Sequence, residues 1–422
     1  MNQDISLNHA RMLDEKDELA IYHKRFFNSD DNLIYMDGNS LGRLPTDTIQ
    51  RTSRIVKNEW GEQLIRSWGI NWYQAPAYLG EKIAKFIGAG PDQVVVSDST
   101  SVNLYKLAIS ALMLQPERKK IVTDALNFPS DLYLLQGCRQ VLGGKHKIQV
   151  LEPVDGMRVE TRKVLEAINE DTALVTLSHV VFKSGYLYDA KTITEYAHQK
   201  GALVLWDLSH SVGAVPVELD EWGADFAVGC TYKYINGGPG APAFLYVRKD
   251  LQDKAISPIW GWFGERSPFS FGLEYAPANG INRFLSGTPP ILSMMAIEPG
   301  LDLILEIGMP RLRNKSILLS EYLISLFDAR LAPLGFILGS PREIEQRGSH
   351  ISIQHPEAYR INQALIEEMN VIPDFREPNN LRLGLSPLYT SFEEVWSCID
   401  RIQRVVTENK HLSFPNIRQV VT

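Results

Sequence analysis

The sequence predicts an α/β fold in which a large, mostly parallel sheet domain is followed by a smaller α+β domain. Short β-rich runs alternate with amphipathic stretches between Val94 and Val247, the pattern of buried strands covered by helices. After Pro289-Pro290 the pattern changes to long helical stretches. The 422 residues also exceed the roughly 250–300 at which a single core stops growing. Apolar residues make up 44% and charged residues 22%, so the composition supports two ordinary globular cores.

Taken in order, the chain opens with charged and apolar residues at helical spacing from Ser6 to about Phe27, broken by the turn formers Asn28-Ser29-Asp30-Asp31-Asn32. Residues 1–45 are therefore expected to form a separate arm that associates with the smaller domain. Within it, Ile34-Tyr35-Met36 reads as a short strand entering Asp37-Gly38-Asn39-Ser40-Leu41-Gly42, a turn whose glycines permit positive φ. The large domain, 46–290, alternates Val94–Val96, Lys120–Thr123, Ile148–Leu151, Ala173–Leu177, Ala202–Trp206, Phe226–Cys230 and Phe244–Val247 as strands with helices such as Leu104–Leu114, Pro129–Leu142 and Ala190–Lys200. Residues 291–422 form the smaller domain. Its expected helices are Ile291–Ile307 and Leu312–Leu331, then others near Ala358 and Ser391, with strands near Phe336 and Ile351. No repeat or heptad series runs through the chain.

The 43 Lys+Arg and 50 Asp+Glu leave a formal net charge of −7, which argues against a nucleic-acid or anionic-membrane partner. No apolar run approaches the ~18 residues of a membrane helix. The first twenty residues mix both charge signs without the apolar core of an export signal. A cytoplasmic protein is expected. Cys138, Cys230 and Cys398 are too few and too scattered for a disulfide framework or a zinc cluster, so no metal is expected.

Open α/β sheets bind ligands beyond the carboxyl ends of their strands, and the reactive residues collect there. Asp207 follows Ala202–Trp206, with His210 three residues on, and Lys233 follows Phe226–Cys230 between Tyr232 and Tyr234. Taken alone, Lys233 fits a snorkelling lysine equally well, and Asp207 fits a helix cap. Together they offer what pyridoxal phosphate requires: a lysine for its Schiff base and a carboxylate that keeps the pyridine nitrogen protonated. Ser97-Asp98-Ser99-Thr100-Ser101 opens a helix after a strand and supplies hydroxyls and free N–H groups for a phosphate. Phe128-Pro129-Ser130-Asp131 puts Pro at a helix start and offers an aromatic face.

With these stand Met36-Asp37-Gly38-Asn39-Ser40-Leu41-Gly42, Asp207-Leu208-Ser209-His210, Tyr232-Lys233-Tyr234, Gly261-Trp262-Phe263-Gly264 and Pro289-Pro290-Ile291-Leu292. In order and spacing the set resembles the kynureninases over nearly the whole chain. The resemblance implies the fold type I, pyridoxal-5'-phosphate-dependent transferase architecture (class V aminotransferase-like) and a homodimer with a shared active site. It implies hydrolysis of L-kynurenine to anthranilate and L-alanine in tryptophan catabolism and the NAD-related kynurenine pathway. Lys233 would be the Schiff-base lysine and Asp207 the pyridinium partner, with His210 near the ring, Phe128 stacked on it and Tyr232 relaying a proton. Thr100, Ser101, Asp131, Ser178 and Tyr232 match other cofactor contacts. Trp262 and Thr288 match positions that reach the phosphate from the neighbouring subunit. Arg382 matches the arginine that grips the substrate α-carboxylate, a task for a planar fork. Ser67-Trp68-Gly69-Ile70-Asn71-Trp72 lacks the histidine found in animal enzymes that prefer 3-hydroxykynurenine, which favours the unsubstituted substrate and leaves turnover of the hydroxylated one open.

Two enzyme rivals share this apparatus. A cysteine desulfurase or selenocysteine lyase needs a nucleophilic cysteine on a loop, whereas Cys398 reads as part of an amphipathic helix and Cys230 as the end of a buried strand. An aminotransferase needs the same lysine and aspartate and stays open at this point. A catalytically silent binding relative would be expected to have lost the lysine.

Overall fold

The computed structural model describes residues 4–415; the outermost residues assigned above to the arm and the smaller domain, 1–3 and 416–422, lie outside the described residues. Ser6 caps helix α1 (Leu7–Glu15), its hydroxyl accepting from the His9 N–H at 3.2 Å. The helix expected to run to Phe27 stops at Glu15. Asp17 then turns the chain by accepting from the Leu19 N–H at 2.9 Å. A 3₁₀ turn over Ala20–Arg25 follows, and Leu19, Tyr22 and Phe26 point into the main core. Strand β1 (Ile34–Tyr35) leads to helix α2 (Thr46–Arg54), an irregular helical stretch over 55–72, and helix α3 (Ala75–Ala84).

The large sheet holds β2 (Val94–Val96), β3 (Lys120–Asp124), β4 (Lys147–Leu151), β5 (Thr172–Ser178), β6 (Leu203–Asp207), β7 (Phe226–Gly229) and β8 (Phe244–Val247) in the order β2-β8-β7-β6-β5-β3-β4. Strands β3 to β7 are parallel, and β8 runs against both its neighbours. All seven residues of β5 are buried, as expected for a strand covered on both faces. The covering helices are α4 (Thr100–Leu114), α5 (Pro129–Val141), α6 (Thr161–Ala167), α7 (Ala190–Gln199) and α8 (Leu219–Trp222).

The single helix expected over Ile291–Ile307 is two, α9 (Ile291–Met295) and α10 (Glu298–Ile307). Pro299 explains the break: it has no N–H for the carbonyl four residues back, and its ring crowds that carbonyl. Helices α11 (Met309–Arg330), α12 (Ala358–Met369) and α13 (Phe392–Thr407) cover a four-stranded antiparallel sheet in the order β12-β13-β10-β9. Its strands are β9 (Ile337–Leu338), β10 (His350–Gln354), β12 (Asp374–Arg376) and β13 (Asn380–Gly384), while β11 (Val371–Ile372) leaves it to pair in parallel with β1. Leu319, Phe327, Ile351, Leu383, Val395 and Ile399 form a second core here. Ser391 and Glu394 close a capping box on α13, and Asp14 of the arm accepts from the Phe392 and Glu393 N–H groups at 2.7 and 2.9 Å.

Residues 36–42 run between the two sheets. The Gly384 N–H donates to the Met36 carbonyl at 2.6 Å, and the Gly42 N–H donates to the Tyr232 carbonyl at 2.8 Å. A Cβ on Gly42 would sit 2.3 Å from the Lys233 carbonyl and 2.2 Å from Asn236 Oδ1, so only glycine fits there.

Candidate active site

The carboxyl ends of β5, β6 and β7 bring Ser178, Asp207 and the turn after β7 side by side, because Ser178 pairs with Asp207 and Asp207 with Val228. Asp207 is buried, and its Oδ1 accepts from the Ser209 N–H at 2.9 Å and from Ser209 Oγ at 2.7 Å. Ser178 Oγ lies 3.5 Å from Oδ2. Lys233 Nζ is 2.9 Å from His210 Nε2 and 5.9 Å from the centre of the Tyr232 ring. Burial holds the His210 imidazole neutral, well below the ordinary histidine range, and the Lys233 charge adds to the effect. Nε2 is then the acceptor of that bond and Nδ1–H an unpartnered buried donor.

Asp131 stands on the first turn of α5, buried, with Oδ2 unpartnered. Burial, then the negative charge of Asp207, raises its carboxyl well above the carboxylate range, so it is kept as an acid. The turn leading to it is fixed by Asp124, which accepts from the Leu126 and Asn127 N–H groups, both at 2.8 Å. Asn127 spans to the next strand, donating to the Thr176 carbonyl at 3.2 Å while the Ser178 N–H donates to its Oδ1 at 2.5 Å. Phe128 is thereby presented half-exposed beside the strand ends, its ring edge-on to Phe182 at 5.3 Å. Burial, behind the influence of the Cys230 thiol, raises the Tyr232 hydroxyl above its usual range.

Ser99 caps α4, and Thr100 and Ser101 occupy its first turn. The buried Lys106 ammonium holds this loop by bonding Asp98 Oδ2 at 2.5 Å and the Phe284 carbonyl at 2.7 Å. Ser286 Oγ also reaches Asp98 Oδ2, at 3.1 Å, so the segment that ends at Thr288 is tied to the same loop.

Arg382 is 1% exposed and lies on β13. Its Nε donates to Asp374 Oδ2 at 2.6 Å, and Nη2 donates to the same oxygen. Nη2 also donates to Ser40 Oγ at 3.1 Å and Nη1 to the Phe182 carbonyl at 2.6 Å. Burial lowers its pKa to about 10.

Lys233, His210, Asp207, Ser178, Tyr232 and Asp131 thus gather at neighbouring strand ends, and Arg382 bonds the carbonyl of Phe182, whose ring meets Phe128. Thr288 and Trp262 are exposed instead, the Trp262 ring lying against Phe263 and Phe269. Sequence reasoning did not single out Asp374, Phe182 and His350. A signal for His350 was present: in His350-Ile351-Ser352-Ile353-Gln354, polar and apolar residues alternate, which puts His350 and Ser352 on one face.

An orphaned buried acid, an orphaned imidazole N–H and a lysine meet at the carboxyl ends of parallel strands, with a helix N-terminus at the end of β2. That donor set fits pyridoxal phosphate, and fold and site together define a fold type I pyridoxal-phosphate enzyme. Among solved structures, the chain is similar to a cysteine desulfurase from Thermococcus onnurineus NA1, with TM-score 0.77 and 21% identity over 90% of this chain and 96% of that one. It is also similar to a C-DES variant with glycine covalently linked to its PLP cofactor, with TM-score 0.75 and 18% identity over 88% and 97%.

The description "Kynureninase C-terminal domain" matches residues 312–402. A kynureninase of Pseudomonas fluorescens is 43% identical over 404 residues, 94% of this chain and 95% of that protein. One of Burkholderia mallei (strain SAVP1) is 41% identical over 403 residues, 94% of each. The chain belongs to the kynureninase family. Among the described residues no helix is long and apolar enough to cross a membrane.

Proposed function

We propose that the chain hydrolyses L-kynurenine to anthranilate and L-alanine, with Lys233 and Asp207 at the centre of the site. The observation that carries this reading is the Lys233–His210 contact of 2.9 Å beside a buried Asp207 at adjacent strand ends, in a chain 43% identical to a kynureninase. Bound pyridoxal phosphate supplies an electron sink conjugated to the substrate α-carbon. Lys233 would hold the cofactor and, as a free amine, take the substrate's Cα proton, with neutral His210 accepting from its Nζ. Asp207, held by the two Ser209 bonds to its Oδ1, would pair with the pyridine nitrogen and keep it protonated. Asp131, kept protonated, offers an O–H to the bound molecule, and Tyr232 relays a proton in the later steps. Phe128 would face the ring, Thr100 and Ser101 with the α4 N-terminus would hold the phosphate, and Ser178 would add a hydroxyl. Arg382 receives the α-carboxylate.

The same reading gives a homodimer in which Trp262 and Thr288 reach the partner's phosphate. The surface supports it. Trp60, Leu64, Ile65 and Ile70 are exposed, and so are Trp262, Phe269 and Phe271. Tyr73 lies 5.4 and 5.8 Å from Phe263 and Phe269, so the two stretches adjoin in one apolar face. Sedimentation equilibrium at twice the chain mass is the expected result, and a monomer would sink this part. The proposal keeps an arm (1–45), a large domain (46–290) and a smaller domain (291–422): the second core around Leu319, Leu383 and Ile399 supports the smaller unit, whereas Leu301 and Ile304 of α10 pack into the main core and the arm contributes to both; a cytoplasmic place in tryptophan catabolism and NAD biosynthesis completes it.

The test is incubation with pyridoxal phosphate and L-kynurenine, measuring anthranilate by fluorescence and alanine by amino-acid analysis. Equimolar products are expected. Transfer of the amino group without anthranilate would make the chain an aminotransferase instead.

A further inference from the structure

We infer that His350 is a second donor to the substrate α-carboxylate, acting beside Arg382. The inference rests on the role proposed for Arg382 and adds a residue to it.

A guanidinium has five N–H groups, and the structure shows where four of Arg382's go. Nε–H and one Nη2–H are taken by Asp374, the other Nη2–H by Ser40 Oγ, and one Nη1–H by the Phe182 carbonyl. One Nη1–H remains. A carboxylate bound there has a second oxygen that needs another donor, since the two-pronged edge of the arginine is already held by Asp374. Ser40 Oγ is no free alternative, lying between Arg382 and Asp374 Oδ2 at 3.1 and 3.4 Å.

His350 is the neighbour with something to give. Its ring is 0% exposed and neither ring nitrogen has a partner. The Phe182 carbonyl bears on it and also accepts from Arg382 Nη1 at 2.6 Å, so imidazole and guanidinium meet at the same oxygen. On the strand pair, His350 opposes Gly384 and Ser352 opposes Arg382, which puts imidazole and guanidinium on one face two residues apart. On its other side the ring centre is 5.3 Å from that of His210, whose Nε2 meets Lys233. His350 thus lies between the group proposed to hold the carboxylate and the group proposed to act at Cα.

Burial, helped by the Arg382 and Lys233 charges, keeps His350 neutral, with one N–H to donate. The anions around it are muted. Asp374 is paired with Arg382 and Arg376, and burial raises the Asp37 carboxyl toward its neutral form. A buried N–H with no well-aligned acceptor of its own is unfavourable, and a carboxylate oxygen would supply one when substrate is bound.

The experiment titrates L-alanine and ethylamine, the same amine scaffold with and without the carboxylate, into cofactor-loaded protein by calorimetry. His350→Phe should weaken L-alanine binding about tenfold or more and leave ethylamine unchanged, and His350→Gln, which keeps an N–H, should recover most of the loss. If Arg382→Lys weakens L-alanine while His350→Phe does not, His350 has no such role. If neither variant matters, the carboxylate binds elsewhere and the Arg382 assignment falls as well. Should His350→Phe fail to fold, NMR of ¹⁵N-histidine-labelled wild type decides. The His350 ring N–H should shift with L-alanine and not with ethylamine, and an unmoved resonance overturns the inference.

Discussion

Asp374→Asn should uncouple the arginine from its seat. The carboxylate and Arg382 are each 1% exposed, and two N–H groups of the guanidinium converge on one oxygen, Oδ2. Removing one partner of a buried pair costs about 3–5 kcal/mol, because a charge is left in low dielectric without its counterion. The lower end applies, since Ser40 Oγ and the Phe182 carbonyl still hold Arg382. The amide also leaves Arg376, 3.2 Å away in the native protein, facing Arg382 without the intervening charge. For a unit of this size ~3 kcal/mol corresponds to a midpoint roughly 10 °C lower, readable by calorimetry. KM for L-kynurenine should rise as the guanidinium loses its fixed orientation. The double variant Asp374→Asn/Arg382→Met should be more stable than the sum of its parts, because the stranded charge goes with the arginine. A single-variant midpoint within 2 °C of wild type, with additive double-variant losses, would refute the reasoning.

Gly42→Ala should weaken cofactor retention with little change in the smaller domain, because the added methyl would meet the Lys233 carbonyl at 2.3 Å and push the lysine turn; dialysis followed by absorbance of the retained cofactor measures it. Acid should destabilise the protein through its buried histidines. His23 is lowered to about 4 and His179 to about 3, both chiefly by burial, so the unfolded chain binds more protons between about pH 6.5 and those values, and stability falls as pH drops through that window. Asp124, raised to about 6 by burial, works in the opposite direction between that value and the unfolded 3.8. His179→Gln should flatten the stability-against-pH curve by up to about 1.4 kcal/mol per pH unit, and an unchanged slope in urea titrations between pH 4 and 6 would remove His179 from this account.

The large sheet was legible because its strands are long apolar runs ending in chemistry: Ala202–Trp206 ends in Asp207 and Phe226–Cys230 runs into Lys233, and the structure puts them on neighbouring strands. Arg382 is legible only through the resemblance, and its strand is not legible locally. Asn379-Asn380 is turn chemistry by composition, and what makes 380–384 a strand is its pairing with residues 350–354, far away in sequence. Asp374 was invisible for the same reason: eight residues from Arg382 along the chain, it becomes its directly opposed partner only through the β12–β13 register. The arm was read as one helix because its apolar spacing persists past Glu15, although those later residues serve a different core. Pro299 was a signal in plain view, and it divides α9 from α10.

The segment from β1 to Gly42 carries a consequence for exchanging parts between related enzymes. Its first residues complete a parallel strand pair with β11, its middle accepts from Gly384, and its end donates to the Tyr232 carbonyl. A chimera that takes its C-terminal unit from another parent at Pro290 would inherit a foreign β11 and Gly384 while keeping the native residues 34–42. The crossover would then fall inside a hydrogen-bonded junction rather than between modules. Transplanting residues 34–42 together with the C-terminal unit keeps the seam with β11 and Gly384 intact and moves this segment's mismatch to its Gly42 end, where it meets Tyr232, Lys233 and Asn236.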